Sequence, residues 1–361
     1  MPPKLPDFPW DSLDAVRKRA QRHPDGLVDL SMGTPVDPTP AFITSALAAH
    51  ANAPGYPTAW GTAELRGAAA DWLRRRLGAR AVPQDGILPT IGSKETIAWL
   101  PTMLGVPRGS TVLIPELSYP TYEVGAALAG AQVRRTSSPP DDAAGISLVW
   151  LNSPANPHGA VLAPAELRRW VAWGRTWSIP IVADECYLEL GWSVEPVSVL
   201  HPSVIGDSCA GVLAVHSLSK RSNMAGYRAG LIAGDPVLIR RLWNLRRHSG
   251  LLVPLPVQAA MTAAYGDDAH VEEQRGRYRA RHECLAAALT RAGFRIDRSE
   301  AGLYLWATRQ ETAMSTVEWL AERGILVAPG TFYGPAGAEH VRLALTATDE
   351  RVASGAQRLS S

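Results

Sequence analysis

The stretch "GVLAVHSLSKRSNMAGYRAGLIAGD", residues 211–235, decides how the chain is read. Its apolar start, Val212 to Val215, predicts a strand buried on both faces. That strand delivers one lysine, Lys220, among small hydroxyls, with Arg228 eight positions later and glycines at 226 and 230. A polar cluster at the exit of a buried strand is where open α/β sheets bind their ligands.

The rest of the chain repeats this rhythm. "STVLIPE" (110–116), "ISLVWLN" (146–152) and "IPIVADE" (179–185) predict further buried strands. "TAELRGAAADWLRRRLG" (62–78) predicts a helix capped by Thr62 and stopped by Gly78, and "APAELRRWVAWGRTW" (163–177) another with Pro164 in its first turn. Strands separated by helices imply crossover connections and a mostly parallel sheet flanked by helices. After about residue 245 the texture changes. A long helical region (257–293) is expected to break near Gly266, and a strand, helix, strand, strand pattern comes after it, "FRIDRSEAGLYLWAT", "TVEWLAERG", "ILVAPG" and "HVRLALTAT". The expected layout is α/β: an arm at 1–30 joining a small α+β domain at 246–361, and a large domain at 31–245.

Composition excludes several classes. The 361 residues are 46% hydrophobic and 19% charged with a formal net charge of +2, which gives no reason to expect nucleic acid or an anionic membrane as partner. Cys186, Cys209 and Cys284 lack zinc-ligand spacing, and no His/Cys/Asp set predicts a metal. With no apolar run of spanning length and no signal core, a cytoplasmic location is expected. Of the 36 Lys+Arg only Lys4, Lys18, Lys94 and Lys220 are lysines. In so arginine-rich a chain a retained lysine suggests chemistry that needs a deprotonatable amine.

Other polar groups also fall at strand exits. Asp184 ends "IPIVAD", with Tyr187 three residues on, and "WLNSPANPHGAVL" places Asn152 and Asn156 in a Pro/Gly-rich turn. Singly these fit a helix cap and an ordinary turn. "IGSKE" opens a helix with Ser93 and Lys94, a weak anion-site signal. Neither G-x-x-x-x-G-K-[ST], G-x-G-x-x-G nor G-x-S-x-G occurs. Together the set asks for a cofactor with a phosphate, a ring nitrogen needing an acid partner, a ring oxygen needing donors, and an aldehyde needing an amine. Pyridoxal 5′-phosphate answers that description. Lys220 would join the aldehyde and shuttle the substrate α-proton, and Asp184 would keep the ring nitrogen protonated. Asn156 and Tyr187 would bond the ring oxygen. Ser217, Arg228, Ser93 and Lys94 would hold the phosphate.

"S-x-S-K"-x7-R after a strand (217–228), "N-x-P-x-N-P-x-G" (152–159) and "D-E-x-Y" (184–187) resemble the fold-type I aminotransferases of the aspartate aminotransferase class, over nearly the whole chain. The resemblance implies further roles. Tyr119 in "ELSYPTY" would stack on the ring, and Tyr56 in "APGYPTAWG" would reach the phosphate of a partner subunit, making a homodimer with active sites at the interface. Arg342 in "EHVRLAL" would bind the substrate α-carboxylate, which Gly33 in "LSMGTPVDP" approaches through its backbone. The family turn usually reads N-P-T-G; here His158 replaces the threonine, and a tolerated turn residue is the favoured reading over a substrate contact. The runs "LPDFPWDSL", "HPDGLVDLSMGTPVDP" and "LPTIGSKE" look like those of the N-succinyldiaminopimelate aminotransferases of lysine biosynthesis. That likeness implies ping-pong transfer between glutamate and N-succinyl-2-amino-6-ketopimelate. Amino acids and 2-oxo acids are then the expected small-molecule partners. The alternatives are another aminotransferase of the class, acting on aspartate or aromatic amino acids, or a C–S β-lyase on the same scaffold.

Overall fold

Short buried runs alternating with amphipathic helices build a seven-stranded sheet with helices on both faces. The computed structural model describes residues 5–360; Lys4 and the start of the expected N-terminal arm lie outside them. The strands of the large sheet are β1 (Ile87–Thr90), β2 (Thr111–Ile114), β3 (Gln132–Arg135), β4 (Ile146–Asn152), β5 (Ile181–Asp184), β6 (Val212–Ser217) and β7 (Gly230–Gly234). Their order is β1-β7-β6-β5-β4-β2-β3. All neighbours are parallel except β7, which runs antiparallel between β1 and β6.

The four strands expected from sequence are β2, β4, β5 and β6. Strands β1, β3 and β7 were not legible in the same way. β3 is a half-exposed edge of sequence QVRR with no apolar run, and β1 is four residues long with Pro89 inside it. Strands β5 and β6 are buried throughout, because helices cover both faces. On one face Leu148, Trp150, Leu213 and Val215 pack with Tyr122 and Ile97. On the other, Leu151, Ala183 and Ala214 pack with Trp170, Met261 and Leu73.

Helix ends match their sequence signals. Thr62 accepts the Leu65 N–H at 3.2 Å, and Gly78 closes helix Ala63–Leu77 in the left-handed region. The expected break near Gly266 is present: helix Leu255–Gly266 ends there and helix Ala269–Arg291 starts anew. Helix Leu255–Gly266 packs on helices Ala41–Ala49 and Ala63–Leu77, so its apolar side belongs to the large-sheet core.

The C-terminal part forms a second sheet from β8 (Arg295–Ile296), β9 (Tyr304–Thr308), β10 (Ala328–Pro329) and β11 (Val341–Ala344), in the order β10-β11-β9-β8. The run expected as one strand over 294–308 is two, because Arg298 and Ser299 adopt left-handed backbone conformations and break it. Val28–Asp29 pairs in parallel with Ile325–Leu326, and the Ala344 N–H donates to the Leu30 carbonyl at 2.8 Å. These bonds tie the N-terminal segment to the C-terminal layer. Among the described residues no helix is long and apolar enough to cross a membrane.

Strand register aligns the polar residues at the sheet's edge. Asn152 lies beside Asp184, and Asp184 beside Val215, so the carboxyl ends of β4, β5 and β6 stand in line. Leu213 in β6 is fully enclosed. Leu213→Ala is expected to destabilise the fold by about 2–5 kcal/mol through lost burial and a residual cavity, read as a lowered urea midpoint with unchanged slope.

Candidate active site

The aligned strand ends open into a cleft of about 730 Å³. Lys220 enters it from the short helix Leu218–Arg221 immediately after β6, whose first turn Ser217 caps by accepting the Ser219 N–H at 3.1 Å. Lys220 Nζ donates to the Gly33 carbonyl at 2.6 Å. Burial pushes its pKa down, and Arg342 and Arg228 add to that, against opposing contributions from Tyr304 and Cys186. Holding an ammonium there is costly, which favours the free amine, the nucleophilic form.

Asp184, at the end of β5, is a buried carboxylate. Its Oδ2 accepts from the Tyr122 hydroxyl at 2.9 Å and its Oδ1 from the Cys186 N–H at 3.2 Å. Burial raises its pKa, while these donors pull it back down. Tyr122 is buried on helix Thr121–Ala129, three residues after Tyr119, and stacks on Trp150 at 5.0 Å. Tyr122 was not singled out from the sequence. The Y-P-T-Y spacing, which puts both rings at one helix start, was the available signal.

The turn after β4 places Asn156 opposite Arg342 of β11. Asn152 Oδ1 accepts the Asn156 N–H at 2.7 Å, and both Pro154 and Pro157 come after cis peptide bonds. Arg342 donates through Nη1 to Asn156 Oδ1 at 2.9 Å and through Nη2 to the Ser31 carbonyl at 2.7 Å. Its guanidinium lies 4.0 Å from the Tyr304 ring centroid. Its Nε is buried with no hydrogen-bond partner among the described residues. Because the Asn156 carbonyl end serves Arg342, its amide NH₂ is the end left for a ligand.

Tyr187 and Tyr304 share a hydroxyl–hydroxyl bond of 3.0 Å on the cleft wall. Burial raises the Tyr187 pKa, and neighbouring Tyr304 adds to it, so the phenol stays protonated. Tyr304 was also missed by sequence reading, because an aromatic in a strand of apolar residues reads as core. Tyr119 lines the cleft too, its pKa pushed by burial up to about 12.

One corner of the cleft is suited to an anion. Helix Ser93–Met103 begins there, after Gly92 with φ +77. A Cβ on Gly92 would collide with the Arg228 guanidinium, so only glycine leaves room for both. Arg228 itself holds a left-handed φ of 55, and its Nη1 donates to the Ala225 carbonyl at 2.7 Å. Ser93, Lys94, Ser217 and Arg228 all line this part of the cleft.

Two sequence-expected residues stand apart. Tyr56 is 98% exposed and does not line the cleft of its own chain. His158 does not line it either: it sits in the turn, where its Nδ1 accepts the Ala160 N–H at 3.2 Å. Conversely, the N-terminal segment brings Phe8 and Trp10 into the cleft beside Phe332, an aromatic stretch that its Pro-rich sequence did not announce.

The description of aminotransferase class I and II matches residues 25–359. The chain belongs to that family. This aminotransferase is 57% identical to the 4-dedimethylamino-4-oxo-anhydrotetracycline transaminase OxyQ of Streptomyces rimosus, over 99% of each chain. It is 55% identical to the probable aminotransferase Rv1178 of Mycobacterium tuberculosis, over 99% of this chain and 85% of that one. Among solved structures, a probable N-succinyldiaminopimelate aminotransferase from Thermus thermophilus superimposes with a TM-score of 0.87 at 26% identity, covering 98% of this chain and 99% of that one.

The family and its fold use pyridoxal 5′-phosphate. The cleft fits that group. Among the described residues, a buried amine with no carboxylate in contact, a buried carboxylate with no cation in contact, an amide NH₂ beside a phenol, and an anion corner all border one space.

This geometry carries two expected outcomes. Tyr122→Phe removes one of the two donors to Asp184 and is expected to lower kcat about tenfold or more, the worth of a hydrogen bond to a charged acceptor. The pH dependence of the cofactor's visible absorbance is expected to move with it, which loss of packing alone would not produce. The second outcome concerns acid stability. Burial pushes His158 down to about 4 and His216 to about 3. Both rings are neutral when folded but bind a proton near pH 6.5 when unfolded, so the folded state loses stability as pH falls from about 6.5 towards 4. Urea midpoints across that range are expected to fall, and less steeply in His158→Phe.

Proposed function

We propose that this aminotransferase moves the amino group between glutamate and N-succinyl-2-amino-6-ketopimelate, giving 2-oxoglutarate and N-succinyl-LL-2,6-diaminopimelate by a ping-pong route in lysine biosynthesis. The observation that carries the reading is the pair of separated cations in one cleft. Arg342 is enclosed at the floor, and Lys94 stands at the N-terminal segment with its Nζ 5.6 Å from the Phe8 ring centroid. A substrate with an α-carboxylate at one end and a succinyl carboxylate at the other matches both.

Bound pyridoxal phosphate supplies an aldehyde that carries the amino group and a ring that accepts the electron pair from the substrate Cα. The remaining roles belong to the chain. Lys220 Nζ, the buried amine of the cleft, would be the group that joins the aldehyde and that carries the substrate Cα proton. The Asp184 carboxylate, fixed by the Tyr122 hydroxyl and the Cys186 N–H, would keep the ring nitrogen protonated. Asn156 Nδ2 and the Tyr187 hydroxyl would donate to the ring oxygen, and Tyr119 would pack against the ring. Ser217, Arg228 and the backbone N–H groups at the helix start, Ser93 and Lys94, would hold the phosphate, which leaves the Lys94 ammonium for the distal carboxylate. Arg342 takes the α-carboxylate as a fork of donors, and Gly33 lets the backbone approach it. Tyr56, being so exposed, serves the neighbouring subunit of a cytoplasmic homodimer.

A second reading has its own support. Phe8, Trp10 and Phe332 make a wall suited to a polycyclic ring, and the relative at 57% identity is named for a tetracyclic ketone. Arg342 would then serve only the amino donor.

The test is an absorbance titration of the holoenzyme. Glutamate and N-succinyl-LL-2,6-diaminopimelate are each expected to convert the visible band to the amine form, with Lys94→Ala raising KM for the succinylated substrate only. A poor response to that substrate, alongside turnover of the oxo-anhydrotetracycline, would transfer the assignment to the second reading.

A further inference from the structure

The Asn156 turn separates the cleft from a second cavity of about 460 Å³, with which it shares no lining residue. One side of this cavity is large-sheet material, including Leu113, Trp150 and the turn residue His158. The other comes from the C-terminal layer, where Trp306 and His340 stack with ring centroids 5.0 Å apart and planes within 6°. The volume is that of a small-molecule site.

The polar groups along it are specific. His158 Nδ1 accepts the Ala160 N–H, so its ring proton sits on Nε2, for which no protein acceptor is present among the described residues. Trp150 Nε1 is a buried donor with no acceptor among them. His340 Nε2 donates to Asp297 Oδ2 at 2.8 Å, which makes Nδ1 the lone-pair nitrogen, and that atom is likewise buried without a partner. Of the charged groups along it, Asp297 is engaged by Arg295 and His340 and Glu166 by the Ala163 N–H at 2.9 Å, while Glu116 and Arg298 are exposed. The Trp150 and His340 nitrogens are buried without partners, which is expensive in a folded chain, whereas half-buried His158 is not so enclosed.

We propose that this cavity is a binding site for a small, flat, uncharged heteroaromatic molecule that carries a donor and an acceptor on one edge, as a lactam does, and that its occupancy alters carboxylate binding at Arg342. The stacked Trp306–His340 face fits a flat ring. The unanswered N–H groups of His158 and Trp150 call for an acceptor, and His340 Nδ1 calls for a donor. The route to the cleft is short. His158 stands two residues after Asn156, His340 precedes Arg342 by two, and the Asn156–Arg342 bond of 2.9 Å closes the loop between them. A ligand that moves either histidine moves one end of that bond.

The experiment is calorimetric titration of the holoenzyme with 2-quinolinone, alone and with saturating glutarate as a dicarboxylate occupant of the cleft. One saturable site per chain is expected. Ala336→Trp, at the cavity wall, and His158→Phe, which removes the donor while keeping a ring, are each expected to weaken binding about tenfold or more. Ala336→Trp is expected to retain the cofactor band and turnover without the ligand. Glutarate is expected to change the 2-quinolinone Kd about fivefold, and 2-quinolinone to change the glutarate Kd by the same factor. No saturable heat up to the solubility limit overturns the proposal. So does binding that both substitutions leave intact, or binding that glutarate displaces by simple competition. Unequal or absent coupling with intact binding removes the link to Arg342.

Discussion

Arg342 is a guanidinium closed inside protein, and most of the active-site geometry hangs from it. It donates to Asn156 from the large sheet and to the Ser31 carbonyl from the N-terminal segment, while standing on β11 of the small sheet. One side chain therefore fixes three parts of the chain against one another. A buried guanidinium with few partners is costly unless its donors are answered, and aromatic faces at Tyr304 and Tyr333 provide part of the answer. The unpartnered Nε leaves capacity for a carboxylate.

The same logic governs Lys220 and Asp184. Neither has an oppositely charged partner in contact among the described residues, and each is raised or lowered in the direction that burial dictates. Such groups are expensive, and the parallel sheet is what tolerates them. Its strands are fixed in register by their ladders, so Asp184 and Ser217 reach the cleft from rigid positions while Asn152 holds the Asn156 turn beside them. The layer beneath is equally constrained. Glu185, raised by burial to about 8, accepts from Ser198 at 2.7 Å and from the Val199 N–H at 2.5 Å.

Much of this was legible in the sequence, for a physical reason. Fully buried strands read as apolar runs, so β2, β4, β5 and β6 were visible, and the polar residues ending them marked the site. Asp184 and Lys220 stood out because charge at the end of an apolar run is conspicuous, whereas Arg342, inside its strand, was marked only by the family resemblance. What stayed hidden was set by contacts rather than by local pattern. β3 is polar because it is an edge, and Tyr122 and Tyr304 look like core residues until their hydroxyls are seen to bond Asp184 and Tyr187. The substrate end was least legible, since Phe8 and Trp10 reach it by long-range folding of a Pro-rich segment.

That segment has a practical consequence for handling the enzyme. Pro6, Asp7, Phe8 and Trp10 run along the cleft, and Trp10 packs on Phe332 with ring centroids 5.4 Å apart. A bulky group attached along this segment would crowd the cleft wall that Phe8 and Trp10 form. Helix Asp349–Arg358 is absent from the cleft lining and exposes Asp349, Glu350 and Arg351. Affinity handles and surface-immobilisation anchors therefore belong on that helix face rather than on the N-terminal segment.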